Sequence, residues 1–497
     1  MSKITDVSRN ELYTVLRYIG KVCKLLAIAM IIPVIISFIY NEEGYTIPFL
    51  FTAGITYLIG FLLEKYFISE TKLSTKSAMI FSTVIWLVVC ALSALPYFLT
   101  SELSYLDSFF EAMSGFTTTG YSMYSDLELV SYTIHFWRGL TQWLGGLGIV
   151  FIALAVINSI KNNVNLLYLS EGREERIFPS IRKTTRVIFY IYTGASIIGI
   201  ILYVIAGMPV FDAIFHTFSA ISTGGAAMHN NSLLYYNNFY IECVAMALMI
   251  FGATNFLLIY EVLMGNWKAY FKDIETKVFL PCVLISILLI LLMLWGYDAF
   301  GSNILVNLRY DIFQVFSAIT TTGLQTTFNP ALSIKWGSIG MVLLTLLMVI
   351  GGGSGSTAGG LKWLRIGVLT KSIFWEVKSY ILPKNTIVKQ EIHHIKNIKV
   401  SNEQLRITGI FVYTYIVMFI LSVVICLLFY DNILDIMFDV ASSLSNVGLS
   451  SGIISNTSPV EIKLLFILNF WIGRLEIWPA LVLIGLIIKK ITSIKKE

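Results

Sequence analysis

The chain has 497 residues, of which 56% are hydrophobic and only 13% are charged, and its formal net charge is +5. Soluble domains carry about 25% charged residues, so this composition excludes an ordinary soluble domain and indicates a polytopic membrane protein. The five cysteines are scattered in or beside apolar segments without paired spacing. They are predicted to be reduced core residues that form neither a disulfide framework nor a metal site.

Apolar segments long enough to cross a bilayer, about 20 residues each, recur along the whole chain. Two come first, near residues 25–40 and 47–66. Four successive pairs follow, near 78–99 and 133–160, 187–206 and 241–264, 278–297 and 336–369, and 407–430 and 462–488. This order predicts two N-terminal helices followed by four helix pairs.

A short motif between the helices of each pair occurs four times and ends at Gly120, Gly225, Gly323 and Gly448. In every copy a phenylalanine lies ten residues before the glycine, a serine lies six before it, and a serine or threonine lies three before it. Such self-similarity is typical of an internally repeated architecture. The sequence therefore predicts an all-α polytopic membrane protein with four helix–pore-loop–helix repeats in pseudo-fourfold arrangement, plus two extra N-terminal transmembrane helices.

The repeats divide the chain into five predicted parts. The N-terminal two-helix extension covers 1–76, pore repeat one 77–160, pore repeat two 161–265, pore repeat three 266–400 and pore repeat four 401–497. Repeat three also contains a glycine-rich segment that the other repeats lack.

Each copy of the motif is predicted to be a short helix followed by a turn. Asp107, Asp212 and Asp435 stand where they can cap the helix by accepting backbone N–H bonds. A helix C-terminus suits a cation, and the glycine lets successive carbonyls point the same way. Four such turns around one axis predict rings of carbonyl oxygens, which replace the hydration shell of K⁺ in selectivity filters. The alternative is a Thr/Gly-rich loop that only connects helices, which the four copies disfavour.

The second helix of repeat three contains six glycines between residues 351 and 360. Each costs a helix about 1 kcal/mol relative to alanine, so we predict a break at membrane depth and a flexible gate below the turns. Close helix packing through small residues is the alternative. A phosphate-binding P-loop is disfavoured, because Leu361 stands where its lysine should be. The predicted gate residues are Gly351, Gly352, Gly353, Ser354, Gly355, Ser356, Thr357 and Arg474.

Arg474 lies inside an apolar span between Lys463 and Lys489. An arginine at the centre of a spanning helix costs about 2.5–3.5 kcal/mol and usually faces the bundle interior. Beside a cation path, it is predicted to repel ions that leave the filter. A pair with Glu476 is the alternative, but residues two apart do not share a helix face.

Lysine and arginine are concentrated on one side of the predicted membrane. That side has six of them between residues 161 and 186 alone, whereas the loops of the opposite side carry only Arg309, Lys335 and Lys463, with Arg138 at a helix start. The positive-inside rule then predicts a multi-pass protein of the cell (inner or plasma) membrane with both termini in the cytoplasm. The four turns would enter from outside.

Taken together, the motifs resemble the TrkH/TrkG/KtrB superfamily of potassium transporters. The resemblance is carried by the four turns, by residues 142–148 (QWLGGLG), by the glycine-rich segment with Leu361–Arg365 after it, and by residues 473–477 (GRLEI). It covers about residues 78–490, and the two extra N-terminal helices make the chain more similar to the TrkH branch than to the shorter KtrB branch.

The resemblance implies gated K⁺ uptake by a homodimer with one pore in each protomer. It further implies a cytosolic TrkA-like ring of RCK subunits that carries the regulatory nucleotide, K⁺ in the pore, contact with membrane lipid, and neither an organic cofactor nor a nucleic acid on this chain. The filter positions carried over are Thr118, Thr119, Gly120, Thr223, Gly224, Gly225, Thr321, Thr322, Gly323, Asn446, Val447 and Gly448. Gly224 and Asn446–Val447 depart from the Thr-Thr pattern of the other two repeats.

Three other functions are alternatives to passive, gated K⁺ uptake. A Na⁺-permeable or Na⁺-coupled transporter of the same superfamily is the nearest alternative, although Gly120 stands where the plant-type sodium branch has serine. An intramembrane enzyme is disfavoured, because the sequence contains no HExxH or paired-Asp motif. A secondary carrier is disfavoured as well, because carrier repeats are often inverted, whereas these four run in the same direction.

Overall fold

The computed structural model describes residues 8–69, 71–100, 103–148, 181–296, 304–327, 329–383, 386 and 388–494. Within these ranges the chain is a bundle of α-helices with one two-stranded sheet. The N-terminal helices span Arg9–Ala29, Ile31–Ile39 and Thr46–Tyr66. The first and third of them pack against each other and against the first helix of repeat one, so the extension flanks the repeats.

Each repeat contains a first helix, a pore helix and a second helix. The first helices span Thr75–Thr100, Ile181–Ile205, Ile274–Gly296 and Asn402–Cys426. The pore helices span Tyr105–Phe116, Val210–Ile221, Ile304–Ile319 and Ile433–Leu444. The second helices span Tyr132–Leu147, Phe239–Ala253, Asn329–Ile350 and Val460–Arg474, and the last three are followed by Phe256–Leu263, Trp363–Ile381 and Trp478–Ile494. A short helix, Lys268–Lys272, precedes repeat three, and 3-10 turns lie at Glu43–Tyr45, Leu127–Leu129 and Ser232–Tyr235.

The four repeats close into a ring. The second helix of repeat one packs against the pore helix of repeat two, and the same contact joins repeat two to three and repeat three to four. The second helix of repeat four then packs against the pore helix of repeat one. Because the series returns to its start, the four units surround one axis, and the predicted pseudo-fourfold helical fold is confirmed.

The phenylalanine shared by the four motifs anchors each pore helix in the protein. Phe110, Phe215, Phe313 and Phe438 are all at most 2% exposed. Burial of a side chain of this size contributes roughly 1.5–3 kcal/mol, which helps to hold a short polar-ended helix inside the bundle. The repeated phenylalanine therefore has a packing role that is the same in all four copies.

The predicted caps of the pore helices are wrong. The capping side chains are those of Ser104 in repeat one and Asn432 in repeat four, and Pro209 takes this position in repeat two. These residues are the last with extended backbone angles, so the helix begins directly after them. The aspartates Asp107, Asp212 and Asp435 lie three residues later, in the first turn, where a carboxylate still interacts favourably with the helix dipole.

Several helix bounds also differ from the predictions. The first helix begins at Arg9, well before residue 25. The segments 241–264 and 462–488 were expected to be continuous, but they bend by 108° and 116°. Asn255 starts a new helix in the first of these by accepting a hydrogen bond from the Leu257 amide, and Glu476 and Ile477 interrupt the second with φ of 55° and 67°. Residues 149–160, predicted to complete the second helix of repeat one, lie outside the described residues.

By length and composition, six helices of the described part of the chain can cross a membrane, or up to eight if each bent pair counts as one span. The helical prediction did not include the antiparallel hairpin of β1 Glu391–His394 and β2 Lys396–Lys399. This hairpin packs on the start of the first helix of repeat three. Ile274 and Val368 meet Ile392 and Val400 there in a small apolar cluster.

Candidate functional site: four turns, a glycine loop and Arg474

The four turns share one backbone geometry. The residue two before each glycine has a left-handed φ of 52–56°, and the glycine itself has φ between 70° and 95°. The left-handed residues are Thr118, Thr223, Thr321 and Asn446. Non-glycine residues rarely adopt such angles, and they are usually held there by the surrounding structure. The repetition of this strain in all four copies indicates that the turn conformation is required at each position.

The serine six residues before each glycine holds the turn in place. Ser114, Ser219 and Ser317 each donate a hydrogen bond of 2.7 Å to the carbonyl oxygen of the residue after the glycine. In repeat four, Ser442 instead accepts a hydrogen bond of 3.0 Å from the Gly448 amide. The carbonyl of Leu449, which follows that glycine, accepts a hydrogen bond from the Tyr121 hydroxyl at 3.0 Å. Each turn is therefore tied back to its own pore helix.

The closing glycines bring the four turns together. Each lies against the carbonyl oxygen of the residue that precedes the glycine of the next repeat, so closely that a Cβ atom would stand 1.9–2.2 Å from that oxygen. The pairs are Gly120 with Gly224, Gly225 with Thr322, Gly323 with Val447, and Gly448 with Thr119. The fourth contact returns to the first repeat. The structure thus brings the twelve predicted turn residues into one closed ring, in which a larger residue cannot replace any of the four glycines without displacing a neighbour.

Repeat two departs from the Thr-Thr pattern because another side chain occupies the space. A Cβ atom at Gly224 would lie 2.5 Å from the side-chain carbon Cδ of Gln142. Gln142 Nε2 donates a hydrogen bond of 2.7 Å to the Gly224 carbonyl oxygen. The glutamine therefore supports the turn from repeat one, in the place where repeats one and three use their own threonine side chains.

Repeat four departs from the pattern in a different way. The Asn446 amide donates hydrogen bonds to the Thr119 hydroxyl at 3.0 Å and to the Phe470 carbonyl at 2.9 Å. It therefore ties the turn of repeat four to that of repeat one and to its own second helix. In repeats one and three the corresponding turn is braced by paired threonine hydroxyls 2.8 Å apart, Thr117 with Thr119 and Thr320 with Thr322.

The glycine segment leaves the second helix of repeat three at Gly351. It then passes below the four turns, on the side where the pore helices end. Thr357 is its central contact. The Thr357 hydroxyl donates to the carbonyl oxygens of Gly252 at 2.9 Å and Ile221 at 3.2 Å, and it accepts from the Thr223 hydroxyl at 3.1 Å. The Gly353 amide donates to the Ala253 carbonyl at 2.8 Å. The segment therefore docks on repeat two.

The same segment also reaches repeats three and four. The Gly359 amide donates to the Thr321 hydroxyl at 2.8 Å, directly below the turn of repeat three. A Cβ atom at Gly359 would stand 1.9 Å from the carbonyl oxygen of Ser445, so glycine is needed for this approach to repeat four. At its other end, Ser354 donates its amide to Glu275 Oε1 at 2.6 Å.

Arg474 completes the layer below the turns. Its Nη1 donates to the Thr357 carbonyl at 2.9 Å, and its Nη2 donates to the Gly145 carbonyl of repeat one at 2.5 Å. Its guanidinium also lies 5.6 Å from the ring centre of Trp86. Glu476, the alternative partner of Arg474, forms an ion pair with Arg365. The glycine segment and Arg474 are therefore joined, and together they contact all four repeats.

Glycines of three second helices lie at one depth in this layer. A Cβ atom would lie 2.0 Å from the Phe116 carbonyl at Gly145, 2.4 Å from that of Ile221 at Gly252, and 2.3 Å from that of Leu444 at Gly473. In each case the carbonyl belongs to the last residue of the pore helix in the same repeat. The neighbouring Gly146 instead faces Ser222 of repeat two, so the sequence-based alignment of Gly146 with Gly252 and Gly473 is wrong.

Three basic side chains on the side of the turns opposite to Arg474 are paired with carboxylates. Arg138 donates to Glu111 at 2.7 Å, Arg309 to Glu242 at 2.6 Å, and Lys463 to Asp107 at 2.5 Å. Both side chains of the first pair are about 4% exposed. Paired in this way, these cations present less positive charge to an approaching cation than the sequence alone suggests.

The site also contains Gln142, Glu275 and Lys362, for which the sequence alone predicts no role. Gln142 was visible only as part of a motif, although the missing threonine at Gly224 was a signal that another residue fills its place. Lys362 is 7% exposed, has φ of 78°, and donates from its ammonium to the carbonyl of Ala358. A lysine two residues after the last glycine of the segment was the available signal for this contact.

A ring of four re-entrant turns inside a helical bundle, with an arginine and a glycine loop on one side, defines a pore-loop type of membrane cation transport protein. The sequence profile of the TrkH family, described as cation transport protein, matches residues 49–492. The chain belongs to this family. It is a family of transporters rather than enzymes, so both the resemblance to the superfamily and the expectation of a non-enzyme are confirmed.

Individual relatives agree over nearly the whole chain. An uncharacterised cation transporter of Methanocaldococcus jannaschii is 32% identical over 99% of this chain and 100% of its own length. The Trk system potassium uptake protein TrkH of Salmonella typhimurium is 30% identical over 94% of this chain and 97% of its own. The crystal structure of the potassium transporter TrkH from Vibrio parahaemolyticus superposes with a TM-score of 0.84 at 26% identity, covering 95% of this chain and 98% of that one.

Proposed function

We propose that this protein takes up K⁺ across the cell membrane, as the ion-translocating subunit of a Trk-type system. The observation that carries the proposal is the closed ring of the four turns, in which each glycine meets a carbonyl oxygen of the next repeat. Two potassium transport relatives cover nearly the whole chain and support the choice of ion. Uptake is passive and driven by the membrane potential, which supplies about 2.3 kcal/mol per charge per 100 mV.

The selecting groups are the backbone carbonyls of the twelve turn residues. Left-handed residues alternate with others along each turn, which is a backbone pattern that turns successive carbonyls toward one side. Rings of such oxygens replace the hydration shell of K⁺. The hydrogen bonds from Ser114, Ser219, Ser317 and Gln142 brace the turns from behind, so the oxygens are preorganised for the ion.

The gate is formed by Gly351–Thr357 and Arg474. The arrangement described above corresponds to a closed gate, because the segment crosses below the ring and Arg474 adds a positive charge at the same depth. Several hydrogen bonds hold the segment, and each contributes only about 0.5–1.5 kcal/mol net. A pull on the helix Trp363–Ile381 that breaks these bonds together releases the segment.

That helix and the hairpin that follows provide the contact for a cytosolic regulatory partner of the TrkA type. The excess of lysine and arginine on this side supports a cytoplasmic orientation of both termini, with the turns entering from outside. We further propose a homodimer with one pore in each protomer. Co-purification of the full chain with a stoichiometric cytosolic partner from its native host supports the regulatory contact, and its absence refutes it.

A Na⁺-permeable transporter is the second candidate, and the departures at Gly224 and Asn446–Val447 favour it. Growth of a host on low K⁺ distinguishes the two candidate functions. A host that lacks its own K⁺ uptake systems is expected to grow on low K⁺ when it carries this chain with its partner, and cellular Na⁺ is expected to stay unchanged. Na⁺ accumulation without rescue of growth would support the second candidate instead.

A further inference from the structure

Three ionisable side chains meet beside Ser354 of the glycine segment, away from the turns. Asp273, Glu275 and His394 are at most 2% exposed. Each offers a ligand atom, and these atoms all lie within 4.8 Å of one another. Two of the residues stand at the start of the first helix of repeat three, and the third ends strand β1, so the cluster joins the hairpin to the transmembrane bundle.

Hydrogen bonds orient the carboxylate of Asp273 and the imidazole of His394. Asp273 caps the helix by accepting the Glu275 amide at 2.9 Å, and it accepts the Ile395 amide at 2.8 Å. Both of its carboxylate oxygens lie 3.1 Å from His394 Nδ1. Metal-binding histidines commonly use one ring nitrogen in this way, donating to a carboxylate while the other nitrogen binds the ion.

The other ring nitrogen of His394 points toward the glycine segment. Its Nε2 lies 3.4 Å from the Ser354 hydroxyl, and Glu275 Oε1 accepts the Ser354 amide at 2.6 Å. An imidazole, a carboxylate and a hydroxyl of the gate segment therefore converge at one point. The apolar cluster of Ile274, Val368, Ile392 and Val400 fixes the hairpin that carries the histidine, so the donors come from rigid elements.

We propose that Glu275 and His394 Nε2 bind a divalent transition-metal ion of the Zn²⁺ class beside the Ser354 hydroxyl, and that Asp273 orients the imidazole through Nδ1. Zn²⁺ takes histidine nitrogen and carboxylate oxygen at about 2.0–2.2 Å, which separates the ligand atoms by about 3–4 Å and needs only small side-chain rotations here. A dication also matches the combined charge of two carboxylates. The imidazole distinguishes the site from those of Mg²⁺ and Ca²⁺, which prefer oxygen ligands alone.

Occupancy of this site fixes the Ser354 end of the segment to the hairpin. This consequence rests on the proposed gate, because the metal restrains only the part of the segment that has to move when the pore opens. Zn²⁺ is then an inhibitor of flux that acts from the side of the hairpin. Metal binding itself is independent of the gate and is measured separately.

The binding test uses the purified full chain in detergent, stripped with chelator and titrated with Zn²⁺ by calorimetry. One ion per chain is expected for the wild type and for His393→Ala, a matched control whose exposed imidazole forms a hydrogen bond of 2.7 Å with Asn397. His394→Ala and Glu275→Gln are each expected to weaken binding by about tenfold or more. Equal Zn²⁺ affinity in wild type, His394→Ala and Glu275→Gln overturns the site.

Folding of the variants is checked by the melting temperature in chelator. If His394→Ala fails to fold, Glu275→Gln and a melting-temperature series of wild type and His393→Ala with Zn²⁺ decide, because a real site raises both temperatures in parallel. No rise with Zn²⁺ overturns the proposal.

In liposomes, Zn²⁺ is expected to lower K⁺ flux in wild type and not in His394→Ala. Binding without inhibition would retain the metal site and reject its link to the proposed gate.

Discussion

Arg474 donates a hydrogen bond of 2.9 Å from Nη1 to the carbonyl oxygen of Thr357, which joins the second helix of repeat four to the glycine segment of repeat three. Its second nitrogen binds the Gly145 carbonyl of repeat one. In the proposed gate, the arginine therefore acts both as a positive charge below the turns and as a hydrogen-bonding contact that holds the segment. These two roles can be separated by substitution.

Arg474→Ala is expected to raise basal K⁺ flux in liposomes by on the order of tenfold, because it removes the charge and both hydrogen bonds, and about 1.4 kcal/mol in a barrier corresponds to tenfold in rate. Arg474→Lys keeps the charge but loses the two-pronged contact. An intermediate flux is expected for it. Flux at the wild-type level in both variants, with unchanged melting temperature, would show that Arg474 has only a structural role.

Thr357→Val tests the segment without shortening it. The substitution keeps the side-chain shape and removes the hydroxyl that contacts Gly252, Ile221 and Thr223. Open probability in single-channel recordings is expected to rise several-fold, on the scale of one or two hydrogen bonds of about 1 kcal/mol each. Thr345→Val is the control, since that buried hydroxyl bonds only within its own helix, to Met341. If both variants behave alike, the segment is packing and not a gate.

The effects of substitutions at Gly224 and Gln142 on stability are expected to be coupled. Gly224→Thr alone places a side chain against Gln142, whose Cδ would lie 2.5 Å from the new Cβ, and should lower the melting temperature. Gln142→Ala alone leaves the Gly224 carbonyl without its donor, at a cost of about 1–3 kcal/mol. The double variant restores the threonine found in repeats one and three. The double variant should lose less stability than the sum of the losses in the two single variants. Strict additivity in the double-mutant cycle would contradict this explanation.

The recurrence of glycine, serine and phenylalanine in the four motifs was sufficient to predict the repeats and the ring, and the six glycines between 351 and 360 were sufficient to predict the break in the second helix of repeat three. Neither pattern could predict contacts between repeats, which depend on the relative positions of distant segments. Gln142 fills the place of a threonine 82 residues away in the chain. Likewise, the bends near Asn255 and Glu476 occur in sequences that are as apolar as a continuous helix, so composition alone does not reveal them.

The segments that follow the turns of repeats one and two are joined by His229, which predicts a pH dependence. His229 Nδ1 lies 2.8 Å from Glu128, its Nε2 lies 4.0 Å from Asp212, and its ring stacks on Tyr235 at 3.5 Å. Burial works against the charged ring, but hydrogen bonds and charges of the two carboxylates outweigh it and raise the pKa of His229 above its ordinary value of 6.5.

A raised pKa stabilises the folded protein fully below pH 6.5, and this contribution is lost as the pH rises through the raised value. The melting temperature of wild type should therefore exceed that of His229→Gln most at acidic pH. The difference should shrink as the pH increases from about 6 to about 9. A difference that stays constant over this range would show that the ion pairs of His229 do not contribute.

The central claim is that the ring of turns selects K⁺. The most direct measurement is the permeability of liposomes to K⁺, Rb⁺ and Na⁺, made with Thr357→Val protein so that the gate does not limit flux. K⁺ and Rb⁺ are expected to pass well ahead of Na⁺. Adding Gly120→Ser should reduce this preference by about tenfold, because φ of 90° and the Gly224 carbonyl leave no room for a side chain. Gly409→Ser, at a glycine with open space around it, should keep the preference. Equal K⁺ and Na⁺ permeability before the glycine is changed, or an unchanged ratio afterwards, would contradict the account.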